Sequence, residues 1–508
     1  MEYHLTKKHL TGMRYALDTA AEQAVDIDLT LPDYCPDIER ILSCSLVPRI
    51  YLSNVSGDRL SVEGGSCVRV LYLDGDGGGM HAYEYTQPFS ESLPLKGTIG
   101  SCAVYTQAKP EYLNCRAMSP RKLSLHGAFS LCVKIAEPCE LDYFTYDDGG
   151  DLQLRTEKTA ASSMCGMCSE SFSVREDIPL NAKSGVSSLL SYRLGAQITE
   201  IKAIEHKIML SAELRLELMY LCGVDKPDTE CMSYSLPVSR VIDCEGVSDD
   251  AVIDGDLSVL SFEARLSDDA LDASPLLSLD AKLCFNAQCW KEQEIEILSD
   301  TFSTERDVEI REESFSCRSG IVCLTCGDLA NANADVDEEI GRVIDVHCEK
   351  LSASASLSGG SADIRTKLCA GILYENADGE VRYVERDAEL SYRYDIGGCD
   401  ELLRLCAVPD SLSYRLTDSS HLELRVRMSY RMTLCRRTSC TAITSVSADD
   451  DAPAKAKNSA LILYYPDDGE RIWDIGKRFC SRPAAIIEEN GLEGDSVDSG
   501  MMLMIPTA

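Results

Sequence analysis

The side chains best suited to catalysis or metal binding are the histidines and the paired cysteines. The sequence contains seven histidines: His4, His9, His81, His126, His206, His347 and His421. No two lie four residues apart, the spacing that places two ligands on one helix face. Two Cys-x-x-Cys pairs, Cys165/Cys168 and Cys323/Cys326, could together bind zinc. Because 24 cysteines in 508 residues give about one such pair by chance, and these two pairs are far apart in sequence, we predict no metal site.

Glycines and acidic residues provide two further motifs that could do chemistry. Gly75 and the run from Gly77 to Gly79 could surround a phosphate, but no Gly-Lys-Ser/Thr follows and the run separates two predicted strands. It therefore indicates a hairpin loop. Glu488 and Glu489 could act as acid and base, but in a chain with 84 acidic residues they are typical of a solvated face. We expect no catalytic residue and no cofactor.

The composition excludes several classes of function. The 84 acidic and 49 basic residues give a formal net charge of −35, which disfavours nucleic acid and anionic lipid because both require clustered Lys and Arg. No apolar run reaches the ~18–20 residues of a membrane span, so we expect no membrane insertion. The first 20 residues contain Lys7, Lys8 and Arg14 and lack the apolar block of a signal peptide. We therefore expect a cytoplasmic protein with reduced thiols.

Alternation of apolar and polar residues is the dominant pattern. It is clearest in residues 60–72, 207–220 and 366–374, and it predicts half-buried strands. Each stretch precedes a turn-rich loop and a second alternating stretch, so each predicts a hairpin. Their apolar–Tyr ends, Tyr72, Tyr220 and Tyr374, are 148 and 154 residues apart. This spacing predicts three repeated units.

The fold class that we predict is mainly β. Three β-sandwich-like modules, at residues 1–150, 151–298 and 299–444, are followed by a flexible linker at 445–459, which is rich in small and charged residues. Residues 460–506 change character. They predict a small α+β unit in the order strand, helix, helix, strand, with Ile472, Ile475 and Phe479 on the inner face of the first helix.

This last unit resembles a LysM domain. The resemblance is carried by Gly469-Glu470-Arg471-Ile472-Trp473, by Asn490-Gly491-Leu492, and by Ser499-Gly500 before Met504-Ile505-Pro506; Glu470 and Arg471 replace the family's common Asp and Thr. The resemblance implies a groove between the loop entering the first helix and the loop leaving the second. Its implied binding residues are Asp468, Gly469, Glu470, Arg471, Asn490, Gly491, Leu492 and Glu493. We expect Trp473 to pack the first helix on the sheet rather than to line that groove.

The first unit resembles the SPOCS domain of clostridial spore proteins. The residues that carry the resemblance are Leu31-Pro32-Asp33-Tyr34-Cys35-Pro36-Asp37-Ile38-Glu39-Arg40-Ile41-Leu42, Val68-Arg69-Val70-Leu71-Tyr72 and Pro88-Phe89-Ser90-Glu91. Repeated SPOCS-like units before one C-terminal LysM domain are similar to the SipL-like spore-coat morphogenesis family. That resemblance implies a LysM domain that binds a SpoIVA-like coat morphogenetic ATPase in the mother cell, at the forespore surface.

Three functional hypotheses follow from these observations. The preferred one is a non-enzymatic scaffold that assembles the spore coat through its β-modules and its LysM domain. The alternative is binding of peptidoglycan through N-acetylglucosamine chains; residues 459–508 carry 4 basic and 9 acidic residues, which suits a basic protein patch at least as well as a neutral glycan. The third is an enzyme, which a structure with His126, His206 or His347 beside Cys and Asp in a cleft would favour.

Overall fold

The period-2 alternation predicted from the sequence is present as long strands with alternating burial. The computed structural model describes residues 2–75, 78–97, 99–145, 151–180, 185–223, 228–266, 275–448, 459–467, 469–497 and 500–506. In β10, for example, every second residue from Ile208 onward is buried (β10 is Lys207–Cys222). The described residues form 21 strands and two short helices, so the predicted mainly β fold class is confirmed.

The strands fall into three sets of six after a short first strand. The first strand is β1 (Glu2–Tyr3), and unit 1 contains β2 (Thr6–Thr30), β3 (Ile38–Ser56), β4 (Arg59–Asp74), β5 (Met80–Pro94), β6 (Ala103–Ser119) and β7 (Lys122–Thr145). Unit 2 contains β8 (Leu152–Pro179), β9 (Val186–Ile204), β10 (Lys207–Cys222), β11 (Asp228–Asp243), β12 (Val252–Leu266) and β13 (Leu276–Ser303). Unit 3 contains β14 (Val308–Asp335), β15 (Ile340–Ser358), β16 (Ser361–Asn376), β17 (Val381–Asp395), β18 (Glu401–Leu416) and β19 (His421–Ala448).

The three units share one topology, which confirms the predicted internal repeat. Each unit has two antiparallel sheets of three strands, with strand orders β2-β7-β6 and β3-β4-β5 in unit 1, β8-β13-β12 and β9-β10-β11 in unit 2, and β14-β19-β18 and β15-β16-β17 in unit 3. β1 adds a fourth strand to the β14-β19-β18 sheet by pairing with the end of β19. The two sheets of each unit enclose an apolar core. Tyr72, Tyr220 and Tyr374 lie in the three cores with at most 2% of their surface exposed. Each predicted hairpin is also present, as β4–β5, β10–β11 and β16–β17.

The units pack around an approximate threefold axis. β5 contacts β9, β11 contacts β15, and β17 contacts β3, so each unit touches the next and the ring closes. Leu71, Met219 and Leu373, which hold the same position in the three repeats, meet in one apolar cluster. At the other end, the extended strands of all three units share a second cluster that includes Leu10, Ile295 and Phe315. The repeats therefore form one body.

Two expected boundaries move because tertiary pairing extends the strands. β13 continues past residue 298 to Ser303, whose backbone pairs with Leu152. β19 continues to Ala448, so residues 445–448 belong to a strand rather than to the expected linker: Val446 is fully buried and pairs with Ile310. The small polar composition of this segment resembled a linker because its burial depends on neighbours distant in sequence. Residues 449–458 of the expected linker lie outside the described residues.

The C-terminal unit has β20 (Leu461–Tyr464), α1 (Ile472–Phe479), α2 (Pro483–Asn490) and β21 (Leu503–Pro506). Ile472, Ile475 and Ile486 pack with Leu503 and Ile505 in its core. The helices end where the backbone turns left-handed, at Cys480 and Gly491. At eight residues each, α1 and α2, the helices of the described residues, fall short of the length and apolarity that a bilayer span requires. The assignment of this unit as a LysM domain stays a prediction.

Candidate functional site

The loops that the LysM resemblance singled out lie next to each other in the C-terminal unit. The backbone N–H of Ile472 donates to the carbonyl of Asp495 at 2.8 Å, and Arg471 forms an isolated β-bridge with Ser496. The loop entering α1 therefore adjoins the loop that leaves α2. Gly469, Arg471, Gly491 and Glu493 are exposed there. Asp468 lies outside the described residues.

Three of the implied binding residues have structural contacts. Glu470 accepts hydrogen bonds from the Tyr464 hydroxyl at 2.8 Å and from the backbone of Asp467, and it pairs with Arg478 at 2.8 Å. The Asn490 side chain bonds both the carbonyl and the N–H of Met504 at 2.7 Å, which clamps α2 to β21. Leu492 packs against the core of the unit. Of the implied binding residues that the structure describes, Arg471 and Glu493 thus remain as exposed side chains at this end.

Trp473 is buried, but not where the sequence placed it. The expectation that it packs α1 on its own sheet is wrong: its ring meets Phe302 of β13 edge-on, with ring centroids 5.1 Å apart. Its indole N–H donates to a carboxylate oxygen of Asp300 at 2.7 Å, and Lys477 pairs with the other at 2.6 Å. The reason is helical geometry, since Ile472 and Ile475 occupy the core-facing stripe of α1 while residues 473 and 477 share a neighbouring face. Trp473 and Lys477 thus dock the C-terminal unit on unit 2.

The outer face of the C-terminal sheet is apolar and uncovered in the described residues. The register pairs Leu461 with Pro506 and Leu463 with Met504. Leu461, Leu463, Tyr465 and Met502 expose 43–63% of their surface, while Ile505 and Leu503 face inward to the core. We call Leu461, Leu463, Tyr465, Met502, Met504 and Pro506 the apolar face. A cluster of large exposed apolar side chains on one small unit is typical of a protein-binding surface. The signal in the sequence was that β20 is apolar at every position, Leu-Ile-Leu-Tyr, so that one of its two faces has to lie outside the core.

A cavity of about 420 Å³ lies between the three units. Arg69 of unit 1, Arg193 of unit 2 and His347 of unit 3 all line it. Sequence analysis did not find this site because its walls come from strands about 150 residues apart. The only signal available was the repeat itself, since Ser45, Arg193 and His347 hold the same position in the three units.

Charged groups in this cavity are paired with one another. The two ring nitrogens of His347 lie 2.8 Å from Asp345 and 3.2 Å from Glu349, and Arg193 lies 3.5 Å from Asp345. Burial and the charge of Arg193 lower the pKa of His347, but its hydrogen bonds to the two carboxylates outweigh them and the pKa is raised. Burial likewise opposes ionisation of Asp345 and Glu349, yet His347 lowers the pKa of both. The cluster therefore favours the imidazolium form of His347 between two carboxylates.

The cavity places a His beside Cys and Asp, the arrangement that would favour an enzyme. The pKa values and hydrogen bonds of these groups nevertheless do not fit a Cys–His nucleophile. Cys44 and Cys348 line the same cavity, but burial raises the pKa of Cys348 to about 12, and a hydrogen bond from Cys44 to Cys115, with burial, raises the pKa of Cys44. An activated thiol needs a lowered pKa and an imidazole nitrogen free to accept its proton. Both nitrogens of His347 are bonded to carboxylates. No group of three or more His, Cys, Asp or Glu within the described ranges could hold a metal ion.

A second ionic network, centred on Arg404 and the buried Asp254, joins all three units. Arg404 of unit 3 lies 3.3 Å from Asp254 and 3.6 Å from Asp256 of unit 2, and its guanidinium donates to the Tyr105 hydroxyl of unit 1 at 3.2 Å. Thr433 donates to Asp254 at 2.7 Å. Burial raises the pKa of Tyr105 to about 12, although Arg404 opposes it. The network fixes how the repeats meet, because a buried charge without its partner is strongly unfavourable.

The two Cys-x-x-Cys pairs lie on strands of different units. Cys165 and Cys168 are on β8, whereas Cys323 and Cys326 are on β14, where Cys323 donates to the carbonyl of Ile253 at 3.3 Å. The glycine run joins β4 to β5: the backbone N–H of Asp74 bonds the carbonyl of Gly79, and Gly78 has a φ of +73°. Gly77 lies outside the described residues. The run is a hairpin connection in the part that the structure describes.

Comparison with known proteins identifies one family. Residues 37–118 and 186–267 match the family described as SipL, SPOCS domain, which is not a known enzyme family. No curated protein and no solved structure gave a significant match. Each matched segment covers four strands, β3–β6 and β9–β12, and β15–β18 occupy the same place in unit 3. Two segments of the threefold repeat are therefore similar to the SipL SPOCS domain.

Proposed function

We propose that this chain is a non-enzymatic binding protein of sporulation that helps to assemble the spore coat around the forespore. The two SPOCS matches support a SipL-like role in sporulation. The three-unit β body would act as a rigid scaffold, and the C-terminal unit would hold a coat morphogenetic protein of the SpoIVA-like ATPase type.

The observation that carries the binding role is the apolar face. Six apolar side chains lie on one side of β20–β21, and Tyr465 and Leu463 expose 63% and 59% of their surface. Burial of apolar area is the main favourable term in protein association, at about 25 cal/mol per Å². A neutral polysaccharide would gain little from such a surface, whereas a protein with an apolar patch would gain much.

The charge around the apolar face suggests the chemistry of the partner. The segment 459–508 has a net charge of −5. A partner with basic residues around an apolar centre would match it, because complementary charge at the rim speeds association and excludes wrong partners.

Binding can be tested by co-purification of the full chain with the coat morphogenetic ATPase from sporulating cells. Leu463→Arg on the apolar face is expected to lower recovery at least tenfold, because it buries a charge in the interface. Ala484→Gln, an uncharged change at an exposed position of α2, is the matched control and should leave recovery unchanged. Equal recovery of the ATPase by the Leu463→Arg protein would contradict the proposal.

The peptidoglycan alternative predicts a different result in the same proteins. Glycan binding predicts that the full chain sediments with purified cell wall. It also predicts that Arg471→Ala or Glu493→Lys abolishes this sedimentation. Sedimentation lost in those variants, with ATPase recovery unaffected by Leu463→Arg, would favour glycan binding.

The cellular role can be tested by the localisation of a tagged full chain. We expect a ring around the forespore in sporulating cells, and a diffuse signal throughout sporulation would count against a coat role.

A further inference from the structure

A chain of thiols lies at the junction of the two sheets of unit 2. Cys244 and Cys289 are buried, with 1% and 0% of their surface exposed, and their sulfur atoms are 4.0 Å apart. Cys165 and Cys168 of β8 pack against the same cluster, and the Cys165 thiol donates to the carbonyl of Cys289 at 3.4 Å. Four of the chain's cysteines thus come together from three segments.

A β-bulge brings both cysteines of the β8 pair to this cluster. In a regular strand, residues 165 and 168 would point to opposite faces of the sheet. The register shifts here, because Cys289 pairs with Gly166 and Trp290 pairs with Met164, which leaves Cys165 as the extra residue. Bulges often redirect a side chain towards a functional position.

Two glycines allow the turn that carries Cys244 to lie directly on β8. A Cβ on Gly166 would meet the carbonyl oxygen of Glu245 at 2.8 Å and the Cys244 sulfur at 3.2 Å. A Cβ on Gly246, which has a φ of +83°, would meet the carbonyl oxygen of Cys165 at 2.1 Å. Only glycine fits at both positions, so the close approach of Cys244 to the cluster is built into the backbone.

Access to Cys244 is through an exposed turn. Glu245 and Gly246 are exposed, and a hydrogen bond from the Cys244 N–H to the carbonyl of His206 holds the turn closed. Local opening of this short turn would expose Cys244, and such openings need not unfold the adjoining sheets.

We propose that Cys244 is a peroxide-reactive thiol that forms a disulfide with Cys289. The Cys244 thiolate attacks one oxygen of a hydroperoxide; the O–O bond breaks, hydroxide leaves and takes up a proton, and Cys244 becomes a sulfenic acid. The Cys289 sulfur then attacks the Cys244 sulfur, the S–O bond breaks, and the proton of Cys289 leaves with the hydroxide as water. Two thiols lose two electrons in total, and hydrogen peroxide is reduced to two waters.

The electrostatics of the cluster support this assignment. Hydrogen bonds from Cys168 and Cys289 lower the pKa of Cys244, although burial opposes them. A thiolate is the reactive form of cysteine, so the lowered pKa favours Cys244 as the nucleophile. Hydrogen bonding to Cys244, together with burial, raises the pKa of Cys168 and Cys289.

The site can be tested on the purified, reduced full chain treated with hydrogen peroxide at equimolar concentration. Free-thiol titration under denaturing conditions should show a loss of two thiols per chain. The oxidised protein is then digested with trypsin and chymotrypsin under non-reducing conditions. Chymotrypsin cleaves after Phe285 and so separates Cys284 from Cys289. The digest should contain two peptides joined by a disulfide between Cys244 and Cys289. Any other dominant pairing, or a reduced Cys244 in the oxidised sample, would overturn the proposal, as would stoichiometric zinc that protects these thiols.

Variants separate this reaction from general oxidation. In the Cys244→Ser protein, peroxide should cause no rapid loss of free thiols, in place of the two lost by the wild type. The Cys168→Ser protein should still form the Cys244–Cys289 disulfide. Cys67→Ser is the matched control, because Cys67 is a fully buried cysteine of unit 1 that lies among Arg49, Arg69 and Glu84. If Cys244→Ser fails to fold, the mapping of the wild-type chain still decides the question. Rapid loss of two thiols in a folded Cys244→Ser protein would contradict the proposal.

Discussion

The indole N–H of Trp473 donates a hydrogen bond to a carboxylate oxygen of Asp300, at 2.7 Å, and this contact joins the C-terminal unit to unit 2. Phe302, two residues further along β13, completes the contact by packing edge-on against the indole. The apolar face lies on β20 and β21, away from this helix face, so docking holds the unit while leaving that surface exposed.

Asp300→Ala should release the C-terminal unit from the body. The change removes a hydrogen bond to a charged acceptor, worth about 1.5–3 kcal/mol, together with the Lys477 ion pair. The chain has two tryptophans, and Trp290 is buried with 2% exposed. A red shift of tryptophan emission and increased acrylamide quenching would therefore report exposure of Trp473. Asp474→Ala, on the exposed side of α1, is the control, and an unshifted Asp300→Ala spectrum would show that the docking contact is not formed in solution.

The His347 cluster predicts a pH-dependent contribution to stability. The pKa of His347 is raised, so its contribution is complete below the ordinary histidine value of about 6.5 and is lost as pH rises through the folded value. The pKa values of Asp345 and Glu349 are lowered, so their contributions are present above about pH 4.5 and are lost as pH falls through their folded values. The difference in Tm between the wild type and His347→Gln should be largest between about pH 4.5 and 6.5 and should shrink at higher pH.

The control for this measurement is His9→Gln, since His9 is exposed and surface substitutions usually change stability by less than about 0.5 kcal/mol. A wild-type advantage over His347→Gln that grows steadily from pH 6 to 9 would contradict the assignment of His347 as an imidazolium.

Removal of Arg404 should destabilise the assembly of the three units. Arg404→Met leaves the buried Asp254 and the half-buried Asp256 without this cation, and loss of one partner of a buried pair costs about 3–5 kcal/mol. Urea unfolding of Arg404→Met, of Asp254→Asn and of the double variant would measure the coupling. We expect the double variant to lose less than the sum of the single losses, and strict additivity would show that the two groups do not interact.

The repeated tyrosines should contribute alike in all three units. Tyr72→Ala, Tyr220→Ala and Tyr374→Ala each remove a buried aromatic ring, at a cost of about 3–5 kcal/mol. Tyr220→Phe should cost only about 1 kcal/mol, because it removes one hydrogen bond, 3.3 Å long, to Glu230. Urea unfolding measures the free energy of unfolding of the alanine variants and of Tyr220→Phe. A loss of stability confined to one of the three alanine variants would contradict equivalent packing of the repeats.

Sequence pattern predicted much of the fold but less of the candidate sites. The alternation around Tyr72, Tyr220 and Tyr374 located the three hairpins, because period-2 burial is a local property of a strand. The loops around Arg471 and Glu493 were located as neighbours through the resemblance to a family. The sequence did not predict that Glu470 and Asn490 form structural contacts within the unit, because these contacts depend on where Tyr464 and Met504 lie in space.

By itself, the sequence determined the strand periodicity, the threefold repeat at offsets of 148 and 154 residues, and the acidic charge, all of which are properties of residue order and type. The tertiary structure alone decided that the three repeats close around a common cavity, that Trp473 faces Phe302, and that a bulge at Cys165 directs its thiol towards Cys244 and Cys289. The physical reason is that local periodicity fixes which face of a strand is buried, whereas the partner that covers the face depends on packing between residues far apart in the chain.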